Sequence, residues 1–142
     1  MLVRECLRKA PVTVPPECTL EEAAGLMGSH GVGSLLVARG GELVGIVTDR
    51  DIVVRAVSTG RSPRTHVSSV MSEAPTVIQG SADIFEAFKL LRDGGVRRLP
   101  VLEEGEIAGI LTVDDLLVFL VLELGAVITP VAGEILRSKD AV

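Results

Sequence analysis

The sequence predicts a mixed α/β (α+β) fold made of two β-α-β-β-α units that pack on each other with pseudo-two-fold symmetry. A repeat is the first observation behind this. Pro11-Val12-Thr13-Val14 returns as Pro75-Thr76-Val77-Ile78, and Gly45-Ile46-Val47-Thr48-Asp49-Arg50-Asp51 as Gly109-Ile110-Leu111-Thr112-Val113-Asp114-Asp115, both at an offset of 64 residues (75 − 11 and 109 − 45). Leu20, Ala23, Ala24 and Met27 match Ile84, Ala87, Phe88 and Leu91 in the same register, as Gly31-Val32 matches Gly95-Val96. The second observation is that short β-branched runs alternate with apolar residues at helical spacing in each copy. The third is that 142 residues at 47% hydrophobic content can fill a core. A repeat of this length is a supersecondary unit that buries its apolar face against its neighbour, so any site is expected at the interface of the two copies.

In the first copy, residues 12–14 read as a β-branched strand, and Thr19-Leu20-Glu21-Glu22 opens a helix with the pattern of a capping box. Leu20, Ala23, Ala24 and Met27 fall at i, i+3, i+4 and i+7, which buries one helix face. Gly31 and Gly33 stop that helix. Residues 34–38 then form a strand that turns through Arg39-Gly40-Gly41 into a second strand, residues 42–48. A helix over residues 49–58 closes the unit, and residues 60–66 form a polar linker. The second copy repeats the order, with a strand at residues 76–78, a helix at 82–92, a hairpin over 98–111 turning at Glu104-Gly105, and a last helix from about Val113. This divides the chain into a first unit, residues 1–64, a second, residues 65–120, and a C-terminal helical tail, residues 121–142, with no counterpart in copy one.

Composition narrows the function. A net charge of −5 and a pI near 5.0 disfavour DNA or RNA, whose binding draws on clustered Lys and Arg. Three Phe with no Trp or Tyr leave few rings for stacking unpaired bases. The N-terminus has no cationic region followed by an apolar stretch, so a cytoplasmic location is expected. The apolar run at residues 116–122 is interrupted by Glu123 and Gly125 and falls short of the roughly 20 residues of a bilayer span, so no membrane anchor is expected. Cys6 and Cys18 are too few and wrongly spaced for a zinc site, and a disulfide between them stays open. His30 and His66 fall in loops and read as solvated. No His, Cys or Ser is spaced for nucleophilic catalysis and no carboxylates pair for hydrolysis, so no enzymatic activity and no catalytic residue are expected.

Chemistry concentrates at Thr48 and Asp51 and at Thr112 and Asp115, where a strand hands over to a helix. Two readings stay open. In one, Thr is the N-cap and Asp returns a hydrogen bond to the cap backbone, a capping box with Asp in place of Glu. In the other, the amides at the helix start and the Thr hydroxyl meet a phosphate while the carboxylate accepts hydrogen bonds from a ribose diol, which would select a nucleotide.

With Gly45-Ile46-Val47-Thr48-Asp49-Arg50-Asp51-Ile52, Gly109-Ile110-Leu111-Thr112-Val113-Asp114-Asp115-Leu116 and Val96-Arg97-Arg98-Leu99-Pro100-Val101, the chain resembles a tandem pair of CBS domains, the cystathionine-β-synthase motif or Bateman module, over about residues 1–120. The resemblance implies two units paired sheet to sheet, with two symmetry-related clefts that hold adenosine nucleotides in many members. It further implies that Asp51 and Asp115 bind ribose hydroxyls and that Thr48 and Thr112 lie near ribose or phosphate. The adenine would lie against Val12, Thr13 and Val14 in one cleft and against Thr76, Val77 and Ile78 in the other. Arg50, Arg97 and Arg98 are the candidate phosphate-binding cations. Lys9, Arg39, Arg55 and Arg64 read as surface charges. Copy one departs from the pattern, because Gly33 and Ser34 stand where copy two has Arg97 and Arg98, so the clefts are expected to differ in affinity.

The function expected from this resemblance is a free-standing sensor that binds AMP, with ATP, ADP and S-adenosylmethionine as alternatives, and signals to a regulated protein the sequence does not name. The competing readings are a protein-interaction adaptor with empty clefts and a metal sensor using Cys6, Cys18 and the histidines. Leu116, Leu117, Leu120, Val121 and Leu124 form an apolar stripe suited to association, and the resemblance favours a disk-like homodimer.

Overall fold

In the computed structural model, which describes residues 1–139, the first unit comprises β1 (Thr13–Val14), α1 (Leu20–His30), β2 (Ser34–Arg39), β3 (Glu42–Thr48) and a helical segment, α2. The α2 segment opens as one α turn, Asp49–Asp51, and continues as a π turn, Ile52–Ala56, and a 3-10 turn, Val57–Thr59. After β4 (Ser72–Glu73) the second unit repeats the order as β5 (Ile78–Gln79), α3 (Ile84–Gly94), β6 (Arg98–Glu103), β7 (Glu106–Thr112) and α4 (Val113–Lys139). The sheets run β1-β2-β3-β4 and β5-β6-β7, each with a parallel first pair and an antiparallel hairpin. The repeat reaches fine detail. The β2–β3 ladder has an irregularity between Val37 and Ala38, and the β6–β7 ladder has its own between Val101 and Leu102, 64 positions on. Both hairpins turn through two residues of positive φ, Gly40-Gly41 and Glu104-Gly105, whose twist matches that of the flanking strands.

Helix ends follow local chemistry. Thr19 accepts from the Glu22 amide at 3.2 Å while its own amide donates to the Glu22 carboxylate at 2.9 Å, the capping box expected. These bonds hold the Glu22 carboxyl below the usual carboxylate range. In copy two the cap is Asp83, which accepts from the Phe85 amide at 2.9 Å, so α3 begins at Ile84 rather than at Ala82. Ala82 is held elsewhere, its carbonyl accepting from the Val3 amide at 2.9 Å.

That bond belongs to an interleaving of the two units. Each has its own apolar core, but Val3 and Cys6 sit in the core of the second unit, with Ile84, Leu99 and Leu111, whereas Val67 and Val70 sit in the core of the first, with Leu35, Val37 and Val47. The two pairs are 64 residues apart, so each copy sends the segment before its first strand across to the other. Between the cores lies a shared layer. Leu35 and Val37 point into the first core, so Leu36 must face the other side of β2, yet it is fully buried, as is Pro100, its counterpart on β6. Contact of β3 with β7 closes this sheet-to-sheet seam.

The crossing segments explain the glycine of each motif. A Cβ on Gly45 would collide with Met71 Sδ and lie 3.0 Å from the Ser72 carbonyl; a Cβ on Gly109 would lie 3.0 Å from both Cδ atoms of Leu7, the residue 64 positions before Met71. The close approach at Gly45 lets β4 pair with β3, Gly45 facing Glu73 and Ile46 facing Ser72. Gly45→Ala is expected to lose about 1–3 kcal/mol in urea unfolding, and Gly109→Ala less, because the ends of a flexible leucine move more easily than a backbone carbonyl.

Two expectations change. The tail is not a separate element, because α4 runs unbroken from Val113 to Lys139 through Glu123, Gly125 and Pro130. Its apolar run therefore does not stop at Leu122, and by length and composition the helix is able to cross a membrane. Residues 140–142 of the tail lie outside the described residues. Cys6 and Cys18 are free thiols buried in different cores, and burial pushes both thiols up.

Candidate functional site

The Thr-x-x-Asp pairs form the expected capping boxes. At the start of α2 the Thr48 amide donates to Asp51 Oδ2 at 2.9 Å and the Asp51 amide donates to Thr48 Oγ1 at 3.1 Å. At the start of α4 the same bonds recur at 2.9 and 3.1 Å, and the Thr112 hydroxyl donates to Asp115 Oδ2 at 2.6 Å. The copies differ at the second carboxylate oxygen. Asp51 Oδ1 lies 3.6 Å from Arg55 Nε, whereas Asp115 Oδ1 takes no hydrogen bond among the described residues. Capping and ligand binding are therefore compatible at Asp115, since the cap uses one oxygen and leaves two lone pairs on the other.

Asp115 lines a cleft of about 250 Å³ between the units, just below the about 300 Å³ at which small-molecule sites begin. Copy two contributes Arg98, Ile110, Thr112, Asp114 and Asp115; copy one contributes the 8–12 segment and the 31–34 turn. Arg98 reaches this cleft because Gly33 has no side chain. A Cβ there would stand 3.2 Å from Arg98 Nη2 and 3.1 Å from Asp49 Oδ2. The departure of copy one from the motif is thus the space into which the arginine of copy two extends. Arg8 and Lys9, both exposed, line the same cleft as Asp114 and Asp115 and add two cations to it.

Of the residues singled out in the sequence, Val12, Arg98, Thr112 and Asp115 come together here. Thr13 and Val14 line a neighbouring groove with Ala38, Glu106 and Ile107. Arg97 and Arg50 are exposed. Thr76 lies in a groove along α3, beside Phe85 and Lys89, while Ile78 is packed into the second core and Val77 is about a third exposed. Arg8 and Asp114 were not picked out by motif, and Lys9 was read as a surface charge. The repeat register carries the signal for Arg8 and Lys9: their counterparts are Ser72 and Glu73, so the symmetry-related position loses two cations and gains an acid. Arg55, read as a surface charge, pairs with Asp51 and donates to the Val70 carbonyl at 2.9 Å. Among the described residues no three His, Cys, Asp or Glu side chains gather as a metal site.

The CBS domain model matches residues 3–58 and 67–122, and the chain belongs to the CBS-domain family. It is 36% identical over 116 residues to the CBS domain-containing protein YhcV of Bacillus subtilis, covering 82% of this chain and 83% of that one. A protein of Methanopyrus kandleri, MK0525, is also 36% identical, over 118 residues, which span 81% of this chain but 60% of that protein. Among solved structures, a putative signal-transduction protein with CBS domains from Burkholderia ambifaria aligns with TM-score 0.74 at 29% identity, covering 82% of this chain and 91% of that one. The CBS domain protein PAE2072 from Pyrobaculum aerophilum, solved in complex with AMP, aligns with TM-score 0.75 over 81% of this chain and 89% of that one; at 24% identity the likeness is one of fold. CBS domains act as regulatory modules, which is the class this chain joins.

Proposed function

We propose that the chain is a non-catalytic cytoplasmic regulatory module that binds an adenine nucleotide, AMP first, in the cleft of Asp115 and Arg98, and passes its occupancy to a protein partner as a homodimer. The observation that carries this reading is a carboxylate oxygen without a donor among the described residues in one cleft with three cations, between two units. Asp115 Oδ1 accepts from the ribose hydroxyls, and Arg98, with Arg8 and Lys9, meets the phosphate. The Thr112 hydroxyl, which donates a hydrogen bond to Asp115 Oδ2, holds that carboxylate in place. Pro11 and Val12 offer backbone edges to the base. The AMP complex of the fold neighbour PAE2072 agrees with this choice of ligand. ATP, ADP and S-adenosylmethionine share the adenosine and differ in what Arg98 must meet.

The symmetry-related position is the weaker one. Arg97 stands there as the counterpart of Gly33, Ser34 as the counterpart of Arg98, and Asp51 is engaged by Arg55. Thr48 and Asp51 then serve α2 as a cap. Isothermal titration of nucleotide-free protein with AMP, ATP and S-adenosylmethionine tests the reading: one tight site per chain for an adenosine ligand supports it, and no heat with any of the three sinks it. Arg98→Gln is expected to weaken AMP binding roughly 10- to 100-fold, the worth of a charge-assisted bond, with Arg97→Gln within about twofold of the parent.

A further inference from the structure

Beyond Phe119, α4 leaves the body of the second unit. Leu116 and Phe119 pack on the second core, but the side chains that follow are exposed on a helix that extends roughly 30 Å further at 1.5 Å per residue. Most of the exposed apolar residues are ordered, Val118, Leu122 and Leu136 standing off the stripe. Leu117, Val121, Leu124, Ile128, Val131 and Ile135 follow one another at spacings of four, three, four, three and four, the a/d pattern of a heptad, and each is at least half exposed. The a positions are Val121, Ile128 and Ile135, all β-branched; the d positions are Leu117, Leu124 and Val131.

We propose that α4 pairs with α4 of a second copy as a parallel two-stranded coiled coil along this seam. β-branched residues at a with Leu at d favour two parallel strands. With the flanking Leu120 and Val127 the seam offers roughly 700 Å² per chain, against the about 800 Å² per partner of a stable interface. The side away from the seam carries the exposed Leu122 and Leu136, but also two charges and a proline that disfavour lipid as its surroundings. Glu123, Pro130 and Arg137 recur there every seventh residue. Pro130 cannot donate to the carbonyl of Ala126, which also lies on that outer side, where water can satisfy it and hydrocarbon cannot. Glu123 lies well inside the apolar run and would sit in the hydrocarbon of a bilayer.

This deepens the homodimer reading and is independent of the ligand. The experiment uses the full chain without detergent, with mass by light scattering and mild oxidation of Ile135→Cys against the parent, whose two thiols are buried. Ile135 is far from the middle of the seam, so only a parallel pair brings two copies of it together. A dimeric mass, near-complete cross-linking at Cys in place of Ile135, and conversion to monomer by Ile128→Asp with AMP affinity unchanged are the results expected. A dimer that does not cross-link at that position, or that survives Ile128→Asp, keeps the homodimer and overturns the coiled coil. A monomer that co-sediments with neutral phosphatidylcholine vesicles overturns it in favour of a membrane span, and a monomer that stays in solution overturns it outright.

Discussion

Asp115→Ala is expected to weaken AMP binding about 100-fold, roughly 3 kcal/mol, while lowering the stability of the fold by about 1 kcal/mol. The two effects separate because the carboxylate does two jobs with two oxygens. Oδ2 closes the capping box on Thr112, whose loss carries about the penalty of a missing cap bond, whereas Oδ1 takes no hydrogen bond among the described residues and Asp115 lines the cleft. Asp51→Ala is the control. It breaks the equivalent cap and the pair with Arg55, so a similar stability loss is expected with AMP affinity within about twofold. Titration calorimetry and urea unfolding of the three proteins give both numbers. Equal loss of affinity in the two variants would mean that both positions hold ligand.

Removing residues 1–7 is expected to unfold the second unit. The deletion takes Val3 and Cys6 out of its core, strips Leu7 from Gly109, and leaves the carbonyls of Gly80 and Ala82 without the Arg4 and Val3 amides, each bonded at 2.9 Å. Two buried side chains and the partly buried Leu7, at up to about 1.5–3 kcal/mol each, reach the lower part of the whole stability of a small domain, about 5–15 kcal/mol. Loss of the cooperative transition, followed by circular dichroism during heating, is the outcome expected; a melting point within a few degrees of the parent would show that the crossing segment contributes little. The milder Val3→Ala should shift the transition without abolishing it.

The doubling of the fold was legible because the motif and helix-face residues carry it openly: Gly45 and Gly109, Thr48 and Thr112, Leu20 and Ile84 keep one register. The interleaving was written in that register too, as Val3 with Val67, Cys6 with Val70 and Leu7 with Met71, but three apolar matches without a strand or helix pattern carry little weight beside a seven-residue motif. Short strands such as β4 escape a pattern of period two altogether, since two residues cannot alternate. At the site, Thr112 and Asp115 were readable as a cap or a ligand pair, and only the folded geometry shows that one carboxylate oxygen is spent on the cap while the other takes no hydrogen bond among the described residues. Gly33 read as a missing arginine; its meaning depends on where Arg98 of the other copy extends, a contact between residues 65 positions apart. The continuity of α4 was hidden by Glu123, Gly125 and Pro130, each a local argument for stopping, which a helix tolerates singly when its apolar side is ordered along one stripe.

The central claim is that one cleft, that of Asp115 and Arg98, binds the nucleotide while its symmetry mate does not. Amide chemical shifts of the isotopically labelled chain during AMP titration test it most directly. The account predicts saturable shifts at Val12, Gly33, Ser34, Arg98, Thr112 and Asp115, with Thr48, Asp51 and Thr76 nearly still. Shifts centred on Thr48 and Asp51, or none at saturating AMP, would contradict it.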